Sequence, residues 1–223
     1  MKLDLHLHTW YSEDSINPPW LVMKVLRKRG LDGVAVTDHN TTRGWKPMIE
    51  CSKKAGLNLV LGEEIKVYEE GFLVGEVLGL FLNEEVKKGS PEEVIDRIRE
   101  QDGIVVISHP FDRHKGFRNI ESFAGKIDAI EAFNSRVFLR QANERAIMFA
   151  AMEKTGITGG SDAHIPIEAG LGYTMAECND TEDFRKALKR GETLFCGKMV
   201  SPVVRLSGIA GLSFKKVGHK LAR

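Results

Sequence analysis

The stretch DLHLHT near the N-terminus sets two imidazoles, His6 and His8, two positions apart in a chain that has seven histidines. On an extended strand, residues two apart project from one face about 7 Å from each other along the backbone, so both rings can share one cation. His39 follows Asp38 in TDHN, Glu63 and Glu64 stand side by side in GEEI, His109 sits in SHP, and Asp162 and His164 close SDAH. This inventory is imidazole and carboxylate without thiolate, which suits Zn, Mn or Fe and leaves Mg possible. It exceeds what one ion needs, and a carboxylate can bridge two ions about 3.5 to 4 Å apart, the arrangement of two-metal hydrolases. A single histidine in an apolar run is more often a hydrogen-bonded core residue, so the chemistry rests on the whole set.

Such residues act together only if the elements carrying them converge. Short runs rich in Val, Ile and Leu alternate with segments of helical period, the pattern of a parallel sheet or barrel with crossover helices. LDLHLHT, DGVAVTDHN and NLVLGEEIKV are the first three expected strands, with FLVGEVLGLFL a further strand beside the third. GIVVISHP, KIDAIEAFNS and TGITGGSDAH are three more. NPPWLVMKVLRKRG is an expected helix capped by Asn17, with Pro18 in its first turn and Gly30 at its close. A second helix begins near Pro47, and SPEEVIDRIREQDG carries a capping box of Ser90 and Glu93. LRQANERAIMFAAMEKTG and DTEDFRKALKRGE supply the remaining helices. Nearly every histidine, the oddly placed acids and Asn134 fall at the C-terminal ends of these strands, the end that carries the active site in α/β barrels. Residues 1–198 are expected to form the barrel, and residues 199–223, with His219, a basic surface arm.

An apolar fraction of 42% and a charged fraction of 28% are those of a soluble globular protein. No apolar run approaches the roughly 20 residues that span a bilayer, so no membrane role is expected. Lys2 leads straight into the DLHLHT strand, and no signal peptide is expected. Cys51, Cys178 and Cys196 are an odd number without C-x-x-C spacing, which fits a reducing cytoplasm and neither a disulfide framework nor a thiolate zinc site. A net charge of +1 and a pI near 7.8 argue against an extended nucleic-acid footprint, for which domains usually lie above about pI 9.

DLHLHT with Ser12 and Asp14 after it, TDHN, GEEI, SHP and SDAH, in that order over residues 2–165, resemble the motifs of the PHP (polymerase and histidinol phosphatase) superfamily. The resemblance implies a distorted (β/α)7 TIM-like barrel that holds two or three divalent ions and hydrolyses phosphate esters with a hydroxide activated by them. It places His6, His8 and Asp162 on a first ion. Glu64 rather than Glu63 bridges to a second, because the family sets its acid directly before the apolar residue in G-x-E-I. His109 binds the second ion, and His39 and His164 hold a third, with Asp14 where some members have a histidine. Glu76 stands where many members have a histidine; a carboxylate there shifts the preference toward Mn, Fe or Mg. The alternatives are an exposed strand position for Glu76 and a solvated loop for Asp14.

Asp4 and Asp38 are expected to orient metal-bound imidazoles, since ligating histidines need a partner on the other nitrogen. Asp38, His39 and His164 are the candidate catalytic residues, with His39 or His164 assisting the leaving oxygen. Arg113 and His114, after SHP, and Arg136, after AFNS, are candidate phosphate clamps. The absence of a large inserted subdomain favours a small phosphomonoester, such as a sugar, nucleotide or histidinol phosphate. Two rivals stand beside this. An amidohydrolase barrel also begins with HxH, but typically ends on a lone aspartate where this chain has Asp162 with His164. A nucleic-acid-binding or exonuclease-associated member tends to lose ligands and should carry a basic patch.

Overall fold

Runs such as GVAV and IVVI are buried at every position, so they become central strands covered on both faces. The computed structural model describes residues 1–205; residues 206–223, with His219 and most of the expected arm, lie outside the described residues. Nine strands form one sheet: β1 (Lys2–Asp4), β2 (Gly33–Val36), β3 (Asn58–Glu69), β4 (Phe72–Leu80), β5 (Ile104–Ile107), β6 (Ala129–Asn134), β7 (Gly156–Gly160), β8 (Gly172–Met175) and β9 (Leu194–Gly197). Their spatial order is β7-β6-β5-β4-β3-β2-β1-β8-β9. β1, β2 and β3 run parallel, as do β5, β6 and β7. β4 runs antiparallel to both of its neighbours.

The sheet curls until its ends nearly meet. Beyond β1 the chain stays extended, Leu7 bridges Ala163 in parallel, and the Asp162 N–H donates to the His6 carbonyl at 2.7 Å. At the other end of β1, β8 pairs with it antiparallel and β9 flanks β8. The architecture is thus a distorted seven-stranded α/β barrel, β1 to β7, with the antiparallel pair β8 and β9 added beside β1. The distortion comes from β4, which follows β3 without a helix between them.

The helices α1 (Pro19–Lys28), α2 (Trp45–Ala55), α3 (Pro91–Glu100), α4 (Arg140–Glu153) and α5 (Thr181–Arg190) flank the sheet. None is long and apolar enough to cross a membrane. α1 and α2 bury Val22, Leu26 and Met48 against Leu7, Val34 and Val36. α5 puts Phe184 and Leu188 among Leu3, Ile104 and Ala129, residues at the starts of their strands, and so closes the barrel at that end. The opposite mouth is left for polar groups.

The capping box of α3 is present, with the Glu93 N–H donating to Ser90 Oγ at 3.3 Å and the Ser90 N–H to Glu93 Oε2 at 2.9 Å. α1 departs from expectation. Pro18 is its cap residue, and the Asn17 amide instead donates to the carbonyls of His8 (2.8 Å) and Ala163 (2.9 Å), stapling the barrel closure. Of the expected arm, residues 199–205 are described, and Ser201, Pro202 and Val203 among them are exposed. Val200 is buried, and its N–H donates to the Ser135 carbonyl at 2.8 Å.

Candidate metal centre

The polar residues expected at strand ends meet at the open mouth. His6 and His8 lie just past β1, His39 past β2, His109 past β5, and Asp162 and His164 past β7. Glu64 projects from β3, paired with His39 through an isolated bridge. Glu76 arrives differently: because β4 is reversed, the first half of this strand lies at the mouth, and Glu76 faces inward at 1% exposure. That rules out its reading as an exposed strand position.

The distances define four overlapping groups. His6 Nε2 is 3.1 Å from His8 Nε2, and both are 3.2 Å from Glu64 Oε2. Asp162 Oδ1 is 3.2 Å from His8 Nε2 and 3.6 Å from His6 Nε2. His109 Nε2 lies 3.1 Å from Glu64 Oε1 and 3.3 Å from Glu76 Oε2. Asp14 Oδ2 sits between His164 Nε2 (3.1 Å) and His39 Nε2 (3.3 Å), while His39 Nδ1 is 3.0 Å from Glu64 Oε2. His6–His8–Asp162, His6–Glu64–His109, His8–His39–His164 and His39–Glu64–Glu76 each bring their ligand atoms within 4.8 Å of one another.

Hydrogen-bond partners assign the ring protons. His6 Nδ1 faces Glu131 Oε1 at 3.0 Å and therefore carries the proton. His8 Nδ1 faces Ser12 Oγ at 3.3 Å; that hydroxyl gives its own proton to Asp38 Oδ1, so His8 Nδ1 is the donor. His164 Nδ1 donates to the Asp162 carbonyl at 2.7 Å. Each Nε2 is thus a lone pair pointing at other lone pairs and at carboxylate oxygens. Glu64 Oε2, Glu76 Oε2 and Asp162 Oδ1 are buried without a hydrogen-bond partner. Buried acceptors facing one another are costly unless a positive charge lies among them, so this donor set fits divalent cations.

Electrostatics give the same picture. Burial tends to lower an imidazole, yet on His6 the charges of Glu64, Glu131 and Asp162 outweigh it and hold the ring well above its ordinary value. His39 and His109 are pushed up to about 10 against burial, chiefly by Glu64, with Asp14 acting on the first and Glu76 on the second. Glu64 and Asp162 stay well below the carboxylate range despite burial, held there by the histidines. His164 is pulled down to about 4 by burial and by its neighbour His8. The carboxylates around His6, His39 and His109 therefore favour positive charge at the centre of the cluster.

Two expected orienting residues act otherwise. Asp38 accepts from the Thr9 N–H (2.6 Å), Thr9 Oγ1 (2.6 Å) and Ser12 Oγ (3.0 Å), and touches no imidazole; it steadies His8 through Ser12. Asp4 accepts main-chain N–H groups of His6, Ser161 and Gly170, and so locks the closure. Glu63 points to the other face of β3, where Oε2 accepts the Val86 N–H at 2.9 Å. The sequence reading missed Glu131, which holds His6 with one oxygen and the His109 N–H (2.9 Å) and Asn134 Nδ2 (2.9 Å) with the other. Its signal is an acid within an apolar strand at 1% exposure. The close approach it needs is made at Gly160, where a Cβ would lie 2.4 Å from the His6 Cβ and 2.8 Å from Glu131 Oε1.

Beside the cluster, a cavity of about 340 Å³ is walled by His109, Asp162 and His164 on the inside and by His114, Lys115 and Arg136 toward solvent. Arg136 is tied to buried Glu168 at 2.9 Å. Exposed His114 lines both this cavity and an adjoining groove, and Arg113 lines only the groove, with Arg118 and Arg145. Lys115, also missed, is raised above its ordinary value against burial by the fields of Asp162, Glu76, Glu64 and Asp14.

Two uncharacterized proteins of Methanocaldococcus jannaschii are similar in sequence, one 40% identical over 146 residues (60% of this chain, 82% of the relative) and one 34% identical over 182 residues (78% and 69%). Among solved structures, a two-domain protein from Bacteroides vulgatus, described as containing a predicted PHP-like metal-dependent phosphoesterase, superposes with a TM-score of 0.73 at 20% identity, over 89% of this chain and 65% of that one. A lesion-specific endonuclease from Pyrococcus furiosus superposes with a TM-score of 0.66 at 18% identity, over 88% and 58%. At these identities the structural likeness speaks to the fold alone. The PHP domain model matches residues 4–157, which hold the clustered donors other than Asp162 and His164, and the PHP-associated model matches residues 140–193. With motifs, barrel and sequence match in agreement, the chain belongs to the PHP domain family.

Proposed function

We propose that this chain is a metal-dependent phosphoesterase acting on a small phosphomonoester. The observation that carries the reading is the convergence of His6 Nε2, His8 Nε2, Glu64 Oε2 and Asp162 Oδ1 within 3.1–3.6 Å, with the other ring nitrogens already engaged by Glu131 and Ser12. His6, His8 and Asp162 would hold a first ion, Glu64 would bridge it to a second held with Glu76 and His109, and His39, His164 and Asp14 would take a third. Divalent ions there would supply an activated water and neutralise phosphoryl oxygens. The carboxylate-rich second set favours Mn, Fe or Mg, and the imidazole-rich sets suit Zn as well.

The remaining steps fall to the chain. A water oxygen forms the new bond to phosphorus, the ester P–O bond breaks, and the leaving oxygen takes up a proton. The Lys115 ammonium, on the cavity wall in the field of the donor carboxylates, takes charge off the phosphoryl oxygens, and Arg136, steadied by Glu168, adds a fixed guanidinium beside it. His39 and His164 flank Asp14 on the leaving-oxygen side, while Asp38 acts through Ser12 as a positioning residue for His8. His114 stands at the outer rim.

The test uses purified full-length chain. Metal content is measured, and p-nitrophenyl phosphate hydrolysis is followed after chelation and readdition of Mn, Zn, Fe or Mg. The expected result is two or three ions per chain and metal-restored hydrolysis, abolished in Glu64→Gln and His8→Ala with circular dichroism unchanged. A chain that takes up no metal, or full activity in either variant, overturns the proposal.

A further inference from the structure

The chain after β9 turns back across the barrel mouth. The Lys198 N–H donates to the Leu171 carbonyl and the Val200 N–H to the Ser135 carbonyl, both at 2.8 Å, and Asn143 Nδ2 donates to Met199 Sδ at 3.5 Å. This path delivers Arg205 to the wall of the cavity beside the metal cluster. There Nη2 donates to the Val137 carbonyl at 3.1 Å, and the guanidinium carbon stands 5.5 Å from the centroid of the Phe138 ring. Nε is buried without a hydrogen-bond partner. Among the described residues, no carboxylate lies within ion-pair distance of Arg205.

The three strong bases on this cavity therefore differ. Arg136 has its counter-charge in Glu168, and Lys115 faces the donor carboxylates. Arg205 stands on the Val137–Phe138 side, half withdrawn from water; Glu168, Asp112 and Asp162 reach it only as charges at longer range, and none of them is hydrogen-bonded to it. A cation held in this way is satisfied when an oxyanion arrives. Phe138, 71% exposed, offers a flat apolar face next to it.

We propose that Arg205 is a substrate-positioning residue. Its guanidinium receives an oxyanion, carboxylate or phosphate, carried on the leaving-group part of the substrate, while Phe138 supports the carbon skeleton between that group and the scissile phosphate. The substrate class is then a phosphomonoester with a second anionic substituent. This inference rests on the phosphoesterase reading.

Three non-hydrolysable ligands with a three-carbon frame separate the possibilities: propylphosphonate, 3-phosphonopropionate and 1,3-propylenebisphosphonate. Binding of each to the Mn²⁺-loaded full chain is measured by calorimetry. At least one of the two ligands that carry a second anionic group is expected to bind about tenfold more tightly than propylphosphonate, the size of one charge-assisted hydrogen bond. Which of them gains the margin tells carboxylate from phosphate. Arg205→Gln is expected to shrink the margin to about twofold at unchanged metal content, and Arg205→Lys to keep part of it. Equal binding of all three by the parent, or a margin that survives Arg205→Gln, overturns the inference. If none of the three binds the metal-loaded parent, the phosphoesterase reading fails and this inference with it, a result distinct from equal binding.

Discussion

Glu131 joins what the strands bring together, since one carboxylate fixes the His6 ring, the His109 main chain and the Asn134 amide. Glu131→Gln keeps the shape but weakens the acceptor for the His6 Nδ1 proton. Metal affinity in this variant is expected to fall about 10- to 100-fold, the usual loss for an outer partner of a metal-binding histidine, as read by titration against a competing chelator; unchanged affinity would show that His6 needs no partner. The donors themselves were legible because each interrupts an apolar run with a group such a run has no use for. Glu131 was not, since an acid in IDAIEAF reads equally as the solvent side of an alternating strand. Lys115 was invisible because only the folded loop turns it toward the carboxylates. Glu63, beside the bridging acid but on the other face, gives a pH signature. Burial raises its carboxyl from 4.5 to about 8, so the folded chain keeps a proton that the unfolded chain loses. Stability from this group is full below about pH 4.5 and declines as pH rises toward 8. In metal-free protein, the urea midpoint of the parent should fall more between pH 5 and pH 8 than that of Glu63→Gln, whose amide oxygen still accepts the Val86 N–H; parallel falls would contradict a protonated Glu63.

Helix α3 shows how far local chemistry fixes an element. Its start was written in Ser90, Pro91 and Glu93, and the reciprocal bonds are present. Ser90→Ala should lower stability by about 1 kcal/mol with metal content unaffected, as read by chemical denaturation; a loss of metal would mean that the cap also positions β5. Asn17 looked like an equally good cap, yet the barrel closure offered its amide two carbonyls and won. Strand direction was the hardest property to read, because FLVGEVLGLFL has the same composition whichever way it runs. The available clue was the turn before it, where Glu70 (φ 49°) and Gly71 (φ 82°) adopt the left-handed backbone of a tight hairpin. The pairing of β8 with β9 was missed altogether, since GYTM is short and only half buried and α5 separates the two strands in the chain.

At the scale of the molecule, apolar packing closes one end of the barrel through α5, and the other end collects carboxylates and imidazoles that oppose one another until cations enter. The near-neutral total charge concealed this separation, which is why composition argued against an extended nucleic-acid footprint but named no partner. Chelation should lower the thermal midpoint, and readdition of a bound divalent ion should restore it by mass action; a midpoint indifferent to metal would mean that protons satisfy the cluster fully. Closure also joins distant parts of the chain, for Asp4 and Ser161 are 157 positions apart and hydrogen-bonded at the seam. Ions shared by His6, His8 and Asp162 would act there as a removable cross-link. Such a link forms only after the long loop has closed, so metal should leave the folding rate nearly unchanged and slow the unfolding rate. The seam would then set the lifetime of the fold, and metal supply would decide how long each molecule lasts against unfolding.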